Sequence, residues 1–119
     1  MKSCLIVDDS KVIRMVARKI LQELEFETAE AADGQEALDA CKSNLPDAVL
    51  LDWNMPVMDG YQVLETIIKE DLNTMVIVIS GDIQPEAHQR VTSLGALDFI
   101  QKPVNKTKLT EILSAYGIF

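Results

Sequence analysis

The sequence lacks the features that mark secreted and membrane proteins. It has only two cysteines, Cys4 in an apolar run and Cys41 in a helical pattern, and these are too few for a disulfide framework. No apolar run approaches the roughly 18 residues that cross a bilayer, and the run that begins at Cys4 is far too short for a signal peptide. We therefore expect a cytoplasmic protein whose two thiols are reduced and buried.

Positive charge is scarce as well. The 119 residues carry 11 lysines and arginines against 19 aspartates and glutamates, a formal net charge of -8. This excess opposes binding to nucleic acid and to anionic membranes, so we expect neither as a partner. It suits instead a bound cation or a basic patch on another protein. Because the length fits one core, we expect a monomer with a single domain over residues 1–119 and no linker, repeat or output domain.

Five apolar runs alternate with five helical patterns. The runs with strand character are Cys4–Val7, Phe26–Ala31, Ala48–Leu51, Met75–Ser80 and Phe99–Gln101. The second run is the weakest, because two glutamates leave it only partly apolar, whereas the fourth is wholly apolar and is expected at the centre of a sheet. Such alternation predicts an α/β fold in which a parallel five-stranded sheet is covered by helices on both faces through right-handed crossovers.

Each helical pattern has an apolar face. Ser10 is the candidate N-cap of the first helix, whose expected inward face is Ile13, Val16, Ala17, Ile20, Leu21 and Leu24. After Asp33-Gly34 breaks the second strand, a short helix is expected over Glu36–Lys42. The third helix should face inward with Val63, Leu64, Ile67 and Ile68. A polar fourth helix, with His88 at its surface, is predicted from about Pro85 to Leu94, and a fifth from about Lys106 to Tyr116 that buries Leu109, Ile112 and Leu113.

Polar residues with shared chemistry follow four of the strand patterns. They are Asp8-Asp9 after the first strand, Asp52 after the third, Ser80 at the end of the fourth, and Lys102 after the fifth. In an open α/β sheet, ligands bind at the carboxyl ends of the strands. Neighbouring strands are about 4.8 Å apart, and two carboxylates about 4 Å apart repel by around 4 kcal/mol at an effective dielectric near 20. A cation relieves this repulsion, and all-oxygen ligands suit Mg²⁺.

The charges around Asp52 favour it as the acceptor of a phosphoryl group. Once Asp52 is phosphorylated, the phosphoryl group, Asp8 and Asp9 together carry about -4, Mg²⁺ returns +2, and Lys102 brings the total to about -1. Ser80 supplies a neutral hydroxyl donor, although a serine before a glycine is equally typical of a turn. The acids could instead cap helices, and for Asp59, which precedes Gly60, capping is the favoured interpretation.

Four motifs together resemble one protein family. They are Val7-Asp-Asp-Ser10, Leu51-Asp-Trp-Asn-Met-Pro-Val-Met-Asp-Gly60, Ile79-Ser-Gly81 and Phe99-Ile-Gln-Lys-Pro103. This combination, which extends over the whole chain, resembles the receiver domain of two-component response regulators, and most closely the stand-alone, CheY-like type. The resemblance implies a flavodoxin-like (βα)5 fold. It also implies the strand order 2-1-3-4-5, which is the known order of doubly wound proteins such as flavodoxin and the chemotaxis regulator of this type.

The resemblance also implies a role for each motif residue. Asp52 would accept phosphate from a histidine kinase, and Ser80 and Lys102 would bind the phosphoryl group. Mg²⁺ would be held by Asp9 and Asp52, by Asp8 through a bound water, and by the backbone carbonyl of Asn54. A cis peptide bond before Pro103 is expected. The signal would leave through protein contacts on the face formed by the fourth helix, fifth strand and fifth helix, and would serve chemotaxis if the CheY-like role holds.

Two residues depart from the family pattern. Ser80 replaces the commoner threonine, which preserves the hydrogen bond but loosens the rotamer, because serine lacks a β-branch. Phe99 stands where the chemotaxis type has tyrosine. It can still turn inward as part of a switch in which Ser80 and the loop Gly81-Asp82-Ile83 move toward the phosphate, but it offers a partner no hydroxyl group.

Other functions remain open from the sequence. An intermediate relay carrier would pass its phosphoryl group to another histidine. A Mg²⁺-dependent phosphatase with an aspartate nucleophile normally has Asp-x-Asp after the first strand, where this chain has Asp8-Asp9-Ser10. A nucleotide or flavin site would use backbone amides there, and the two acids would repel its phosphate. We therefore expect a signalling switch that promotes its own phosphoryl transfer and dephosphorylation, not an enzyme acting on external substrates.

Overall fold

The computed structural model describes residues 2–55, 58–81 and 85–118, and for residues 85–88 it describes the backbone only. Five strands and five helices alternate along this part of the chain. In order they are β1 (Ser3–Val7), α1 (Lys11–Glu23), β2 (Glu27–Ala31), α2 (Gly34–Ser43), β3 (Ala48–Asp52), α3 (Gly60–Lys69), β4 (Met75–Ser80), α4 (Pro85–Ser93), β5 (Asp98–Gln101) and α5 (Lys106–Ala115).

The strands form one parallel sheet in the order β2-β1-β3-β4-β5, which confirms the expected flavodoxin-like fold. β1, β3 and β4 lie at its centre and are almost wholly buried. β2 is an edge strand in which three of five residues are exposed, as its glutamates predicted.

Side chains alternate between the two faces of the sheet, so each face has its own apolar core. One core holds the inward faces of α2, α3 and α4 with alternate residues of the central strands, such as Val7, Leu51 and Val78. The other holds α1 and α5 with the intervening residues, such as Ile6 and Ile79. Helices therefore cover both faces of the sheet. The polar residues at the carboxyl ends of the strands lie outside these two cores, along one edge of the sheet.

Two expected core positions are wrong. Val16 on α1 is 44% exposed and Ile68 on α3 is 50% exposed, although both fit the apolar spacing of their helices. Each lies at the margin of a stripe whose centre is buried, because a helix resting on a sheet buries only about a third of its circumference. The expected inner residues of α5, Leu109, Ile112 and Leu113, are confirmed.

The start of α2 also differs from the prediction. The helix begins at Gly34 and not at Glu36, because the Asp33 side chain accepts a hydrogen bond from the Glu36 amide at 2.8 Å and so caps the helix two residues earlier. The predicted N-cap Ser10 is confirmed, since its side chain accepts from the Ile13 amide at 3.4 Å.

The structure agrees with two expectations from the sequence, that the cysteines are buried and unpaired and that no helix among the described residues is suited to cross a membrane. Cys4 and Cys41 are both free and buried, and burial raises the pKa of each thiol, that of Cys4 to about 12. None of the described helices combines the length and the apolar character that a membrane span requires. The side chain of His88, expected at the surface, lies outside the described residues.

Candidate phosphoryl and metal site

The strand register brings the predicted site residues to one edge of the sheet. Val7 pairs with Leu51, Leu51 with Val78, and Ser80 with Gln101. Each functional residue ends its strand or follows it by one or two positions, so the carboxyl ends of β1, β3, β4 and β5 place Asp8, Asp9, Asp52, Ser80 and Lys102 around one point.

Three acids meet at this point. Each of Asp8, Asp9 and Asp52 offers a carboxylate oxygen, and these oxygens all lie within 4.8 Å of one another. Asp8 and Asp52 have no exposed surface, whereas Asp9 is exposed. Two buried carboxylates so close together are unfavourable unless positive charge joins them.

Lys102 supplies part of that positive charge. Its ammonium lies 3.2 Å from Asp8 Oδ2 and 3.2 Å from Asp52 Oδ1, with 23% of the side chain exposed. Burial lowers the pKa of Lys102, but the two carboxylates outweigh it and the pKa is raised. The Lys102 amide also donates to the Ser80 carbonyl at 2.8 Å, and the peptide bond to Pro103 is cis, as the resemblance implied.

Asp52 is only partly satisfied by its neighbours. The Asn54 amide donates to Asp52 Oδ1 at 3.2 Å, but no described residue donates a hydrogen bond to the buried Oδ2. Burial, followed by repulsion from Asp8, raises the pKa of Asp52 to about 6 despite the hydrogen bond from Asn54 and the pairing with Lys102. A buried carboxylate oxygen without a donor is rare in folded proteins and calls for an explanation, which a cation or a reacting group would supply.

Asp8 is held in place by two nearby residues, Ser10 and Arg14. Its Oδ1 accepts from the Ser10 amide at 2.8 Å, and its backbone carbonyl accepts from Arg14 Nη1 at 2.7 Å. Arg14 in turn pairs with Glu30 on β2 at 3.1 Å. The only sequence signal for this role is an arginine one turn into α1, which is not specific enough to predict the contact.

Ser80 and Asn54 meet across the site. Ser80 is fully buried at the end of β4, and its Oγ accepts a hydrogen bond from Asn54 Nδ2 at 3.1 Å. The sequence predicted a ligand role only for the Asn54 carbonyl, so this side-chain contact is new. Asn54 contacts the site by two routes, its backbone amide to Asp52 and its side chain to Ser80, and the metal-ligand role of its carbonyl stays a prediction.

The N-terminus of α3 packs closely against the end of β3. Asp59 is the N-cap of α3 within a capping box, since its side chain accepts from the Gln62 amide at 3.0 Å and Gln62 Oε1 accepts from the Asp59 amide at 3.1 Å. This confirms the capping role expected of Asp59. A Cβ atom at Gly60 would lie 2.6 Å from the Asp52 carbonyl oxygen and 2.7 Å from Trp53 Cα. The first residue of α3 thus lies directly against the end of β3.

Phe99, the second predicted switch residue, lies on β5 next to the site. It is half-buried, packs against the core formed with α2, α3 and α4, and pairs in the sheet with Val78. The sequence also predicted movement of the loop Gly81-Asp82-Ile83; of these residues only Gly81 is described, and the other two lie outside the described part of the chain.

Comparison with known proteins identifies the family that has this geometry. A family model described as the response regulator receiver domain matches residues 4–114. The chain belongs to the response regulator receiver domain family. Protein CcdB of Bacillus subtilis is 40% identical over 115 residues, 96% of each chain. The chemotaxis protein CheY of Thermotoga maritima is 37% identical over 114 residues, 95% of each chain. Sporulation initiation phosphotransferase F of Bacillus subtilis is 33% identical over 112 residues, 94% of this chain and 90% of that protein.

Solved receiver structures have the same fold. The chemotaxis protein CheY4 of Vibrio cholerae has a TM-score of 0.89 at 32% identity and covers 97% of this chain and 98% of its own. A CheX–CheY complex with BeF3 and Mg²⁺ from Borrelia burgdorferi has a TM-score of 0.90 at 34% identity, covering 97% of this chain and 89% of that one.

Membership of the family settles the general class of the protein. Receiver domains of two-component systems are signalling switches and not classical enzymes, which sets aside the phosphatase alternative. They bind Mg²⁺ in an acidic pocket, and the cluster of Asp8, Asp9 and Asp52 is such a pocket. They interact with histidine kinases and with downstream target proteins.

Proposed function

We propose that this receiver is a phosphorylation-activated response regulator whose Asp52 accepts a phosphoryl group from a histidine kinase in the presence of Mg²⁺. The observation that carries the proposal is the environment of Asp52. Its carboxylate is buried, one of its oxygens has no hydrogen-bond donor among the described residues, and two further acids and one lysine surround it.

The residues fit Mg²⁺ because they form an all-oxygen donor set with an open side at the exposed Asp9. Following the family motif, Asp9 and Asp52 would ligate the ion directly, Asp8 through a water, and Asn54 through its backbone carbonyl. A bound Mg²⁺ supplies positive charge that offsets the repulsion among the carboxylates and the incoming phosphoryl oxygens. The hydrogen bonds that Ser10 and Arg14 donate to Asp8 keep this carboxylate in position.

Transfer begins with the ionised form of Asp52. A pKa of about 6 leaves most of the Asp52 carboxylate ionised at neutral pH, so a lone pair on oxygen is available to attack. The Asp52 oxygen forms a bond to phosphorus, the phosphorus–nitrogen bond of phosphohistidine breaks, and the leaving imidazole nitrogen keeps the electron pair. Lys102, already 3.2 Å from Asp52 Oδ1, is placed to pair with a phosphoryl oxygen.

The output follows from the residues beside the acceptor. We propose that Ser80 donates its hydroxyl proton to the phosphoryl group and that Phe99 then turns inward. Ser80 ends the strand that pairs with β5, and Phe99 lies on β5 itself, in the face formed by α4, β5 and α5, which would bind the target protein. Replacing Ser80 by alanine should leave phosphorylation intact and reduce the dependence of target binding on phosphate. The full phosphate-driven gain in target affinity in that variant would contradict the coupling.

Two roles for the signal remain candidates. The similarity to CheY of Thermotoga maritima favours a terminal output through protein contacts, as in chemotaxis. The similarity to sporulation initiation phosphotransferase F favours a relay that returns the phosphoryl group to another histidine. Incubating the phosphorylated protein with a purified histidine phosphotransfer protein separates the two, because only a relay loses its label to that protein faster than to water. In either role we propose a cytoplasmic monomer.

The proposal is tested by labelling with a small phosphodonor. Wild-type protein incubated with acetyl phosphate and Mg²⁺ should gain the mass of one phosphoryl group on intact-mass analysis, and EDTA should prevent the gain. Peptide mapping after reduction of the acyl phosphate with borohydride should place the label at residue 52. Absence of label under these conditions, or repeated turnover of phosphomonoesters, would contradict the proposed function.

A further inference from the structure

The hydrogen bond between Asn54 and Ser80 joins an exposed loop residue to a buried switch residue. Asn54 lies just beyond β3 and is exposed, whereas Ser80 has no exposed surface at the end of β4. The distance from Asn54 Nδ2 to Ser80 Oγ is 3.1 Å, a normal hydrogen-bond length. In the phosphate-free protein the Ser80 hydroxyl oxygen is therefore held toward the loop that carries Asn54.

A serine responds to such a contact more than a threonine would. Threonine has two heavy atoms on Cβ beyond the backbone, so steric contacts restrict its χ1 angle, whereas serine has only one and is less restricted among its staggered wells. The hydrogen bonds of the Ser80 hydroxyl therefore determine which rotamer it occupies. One neutral hydrogen bond changes such an equilibrium by about two- to ten-fold.

We propose that the Asn54 side chain is a positioning residue that holds Ser80 in its phosphate-free rotamer, so that a phosphoryl group on Asp52 has to draw the hydroxyl away from Asn54. This inference rests on the proposed function, because it assigns Ser80 to the phosphoryl group. It concerns the Asn54 side chain alone; its backbone amide donates to Asp52 at 3.2 Å, and its carbonyl is the group proposed for the metal.

If Asn54 restrains Ser80, removing its side chain should increase the affinity for a phosphoryl mimic. Removing the Asn54 amide group destabilises the phosphate-free rotamer but leaves the bond between Ser80 and the phosphoryl group. The equilibrium then shifts toward the phosphoryl-bound arrangement, and a phosphoryl mimic binds more tightly. If Asn54 instead served only to pack the loop, Asn54→Ala would loosen the site and the mimic would bind more weakly.

A first experiment tests the hydrogen bond without any phosphate. In the phosphate-free protein, Ser80→Ala should move the side-chain amide resonances of Asn54 in a ¹H–¹⁵N correlation spectrum, because the amide loses its acceptor. Ser10→Ala is a control at the same sheet edge that does not contact Asn54 and should leave those resonances in place. Unchanged Asn54 resonances in Ser80→Ala would overturn the inference and leave the proposed function standing.

A second experiment measures the coupling. The affinity of beryllium fluoride is determined at saturating Mg²⁺, established separately for each variant, in wild type, Asn54→Ala, Ser80→Ala and the double variant. Asn54→Ala should bind the mimic about two- to ten-fold more tightly than wild type. The same change should have no effect in the Ser80→Ala background, because the rotamer it controls is then absent.

The outcomes are distinct. Weaker or unchanged binding in Asn54→Ala, or an equal gain in both backgrounds, would overturn the role of Asn54 as a restraint on Ser80. Wild-type protein that binds no beryllium fluoride in the presence of Mg²⁺ would overturn the proposed function together with this inference.

Discussion

One aspartate lies just before β3 and another is its last residue, and the two side chains have opposite surroundings. Asp47, just before the strand, is exposed, and its Oδ2 accepts from the Ser3 amide at 2.7 Å and from the Ser3 hydroxyl at 3.3 Å. Asp52, at the other end, is buried beside a second carboxylate, and its Oδ2 has no donor among the described residues.

The difference separates a structural acid from one proposed to react. Asp47 joins the starts of β1 and β3 through neutral donors, and water reaches it, so its charge is satisfied within the free protein. Asp52 pairs with Lys102 through Oδ1 but keeps Oδ2 without a donor among the described residues, so the free protein leaves this oxygen open to the cation or phosphoryl donor proposed for it. Four experiments address this contrast, beginning with the largest expected effect.

Labelling should distinguish the two acids completely. Asp52→Asn removes the attacking carboxylate oxygen, so acetyl phosphate should add no phosphoryl group to it. Asp47→Asn, just before the same strand, should be labelled like wild type. The measurement is the intact mass after incubation with donor and Mg²⁺. Loss of labelling in both variants would mean that the contrast between the two ends is wrong.

The affinity for Mg²⁺ should fall when an acid is removed from the carboxyl edge of the sheet, but not when Asp47 is removed at the opposite edge. Asp9→Ala should weaken Mg²⁺ binding about ten-fold or more, because one unit of opposite charge leaves the ion's surroundings. Trp53 follows the acceptor directly and is half-buried, so its emission is the readout, with NaCl as the ionic-strength control. Asp47→Ala should bind as wild type does. Without Mg²⁺, Asp9→Ala should be no less stable than wild type; a large loss of stability would show that Asp9 is structural.

The contribution of Asp52 to the free energy of unfolding should decrease as the pH rises, the opposite of what a carboxylate with a lowered pKa contributes. Its folded-state pKa is raised from 3.8 to about 6, so the folded protein binds this proton more tightly than the unfolded chain. The stabilisation by the protonated form is present below pH 4 and is lost as pH rises to about 6. In the absence of Mg²⁺, Asp52→Asn should therefore be equal to wild type near pH 4 and more stable by up to about 3 kcal/mol above pH 7. Urea denaturation at both pH values measures it. A variant less stable than wild type at pH 7.5 would contradict the raised pKa.

The smallest effect is expected at the other end of the strand. Asp47→Ala loses the two hydrogen bonds from Ser3 and should reduce the free energy of unfolding by about 1 kcal/mol, since water replaces part of each bond. The change should not depend on Mg²⁺, and urea denaturation with and without the ion measures both points. A Mg²⁺-dependent change would place Asp47 in contact with the site.

The sequence predicts the strands within one residue, because each ends where an apolar run meets a polar residue. It predicts the burial of individual helix residues less well. Val16 and Ile68 have the spacing of their buried neighbours, and only the position of the sheet beneath each helix decides that they are exposed. The acids and Lys102 were also predictable, since the parallel strands carry them to one edge whatever the details of packing.

Two side-chain contacts at the site, Asn54 with Ser80 and Arg14 with Asp8, could not be predicted from the sequence. The hydrogen bond from Asn54 to Ser80 joins residues 26 positions apart, one just after β3 and one at the end of β4, so it depends on how the two strand ends come together in the folded protein. Arg14 reaches the Asp8 carbonyl only because α1 and β1 pack side by side. Neither contact leaves a periodic pattern in the sequence.

Gly60 limits how freely the site can be redesigned. Any Cβ at this position would have to share space with the Asp52 carbonyl oxygen and Trp53 Cα, which are backbone atoms that cannot rotate away. A saturation library of the segment after Asp52 should therefore tolerate many side chains at position 54, which is open to solvent, and accept only glycine at position 60. Substitutions meant to change the lifetime of the phosphorylated state or the choice of partner should therefore be made at position 54 and not at the first residue of α3.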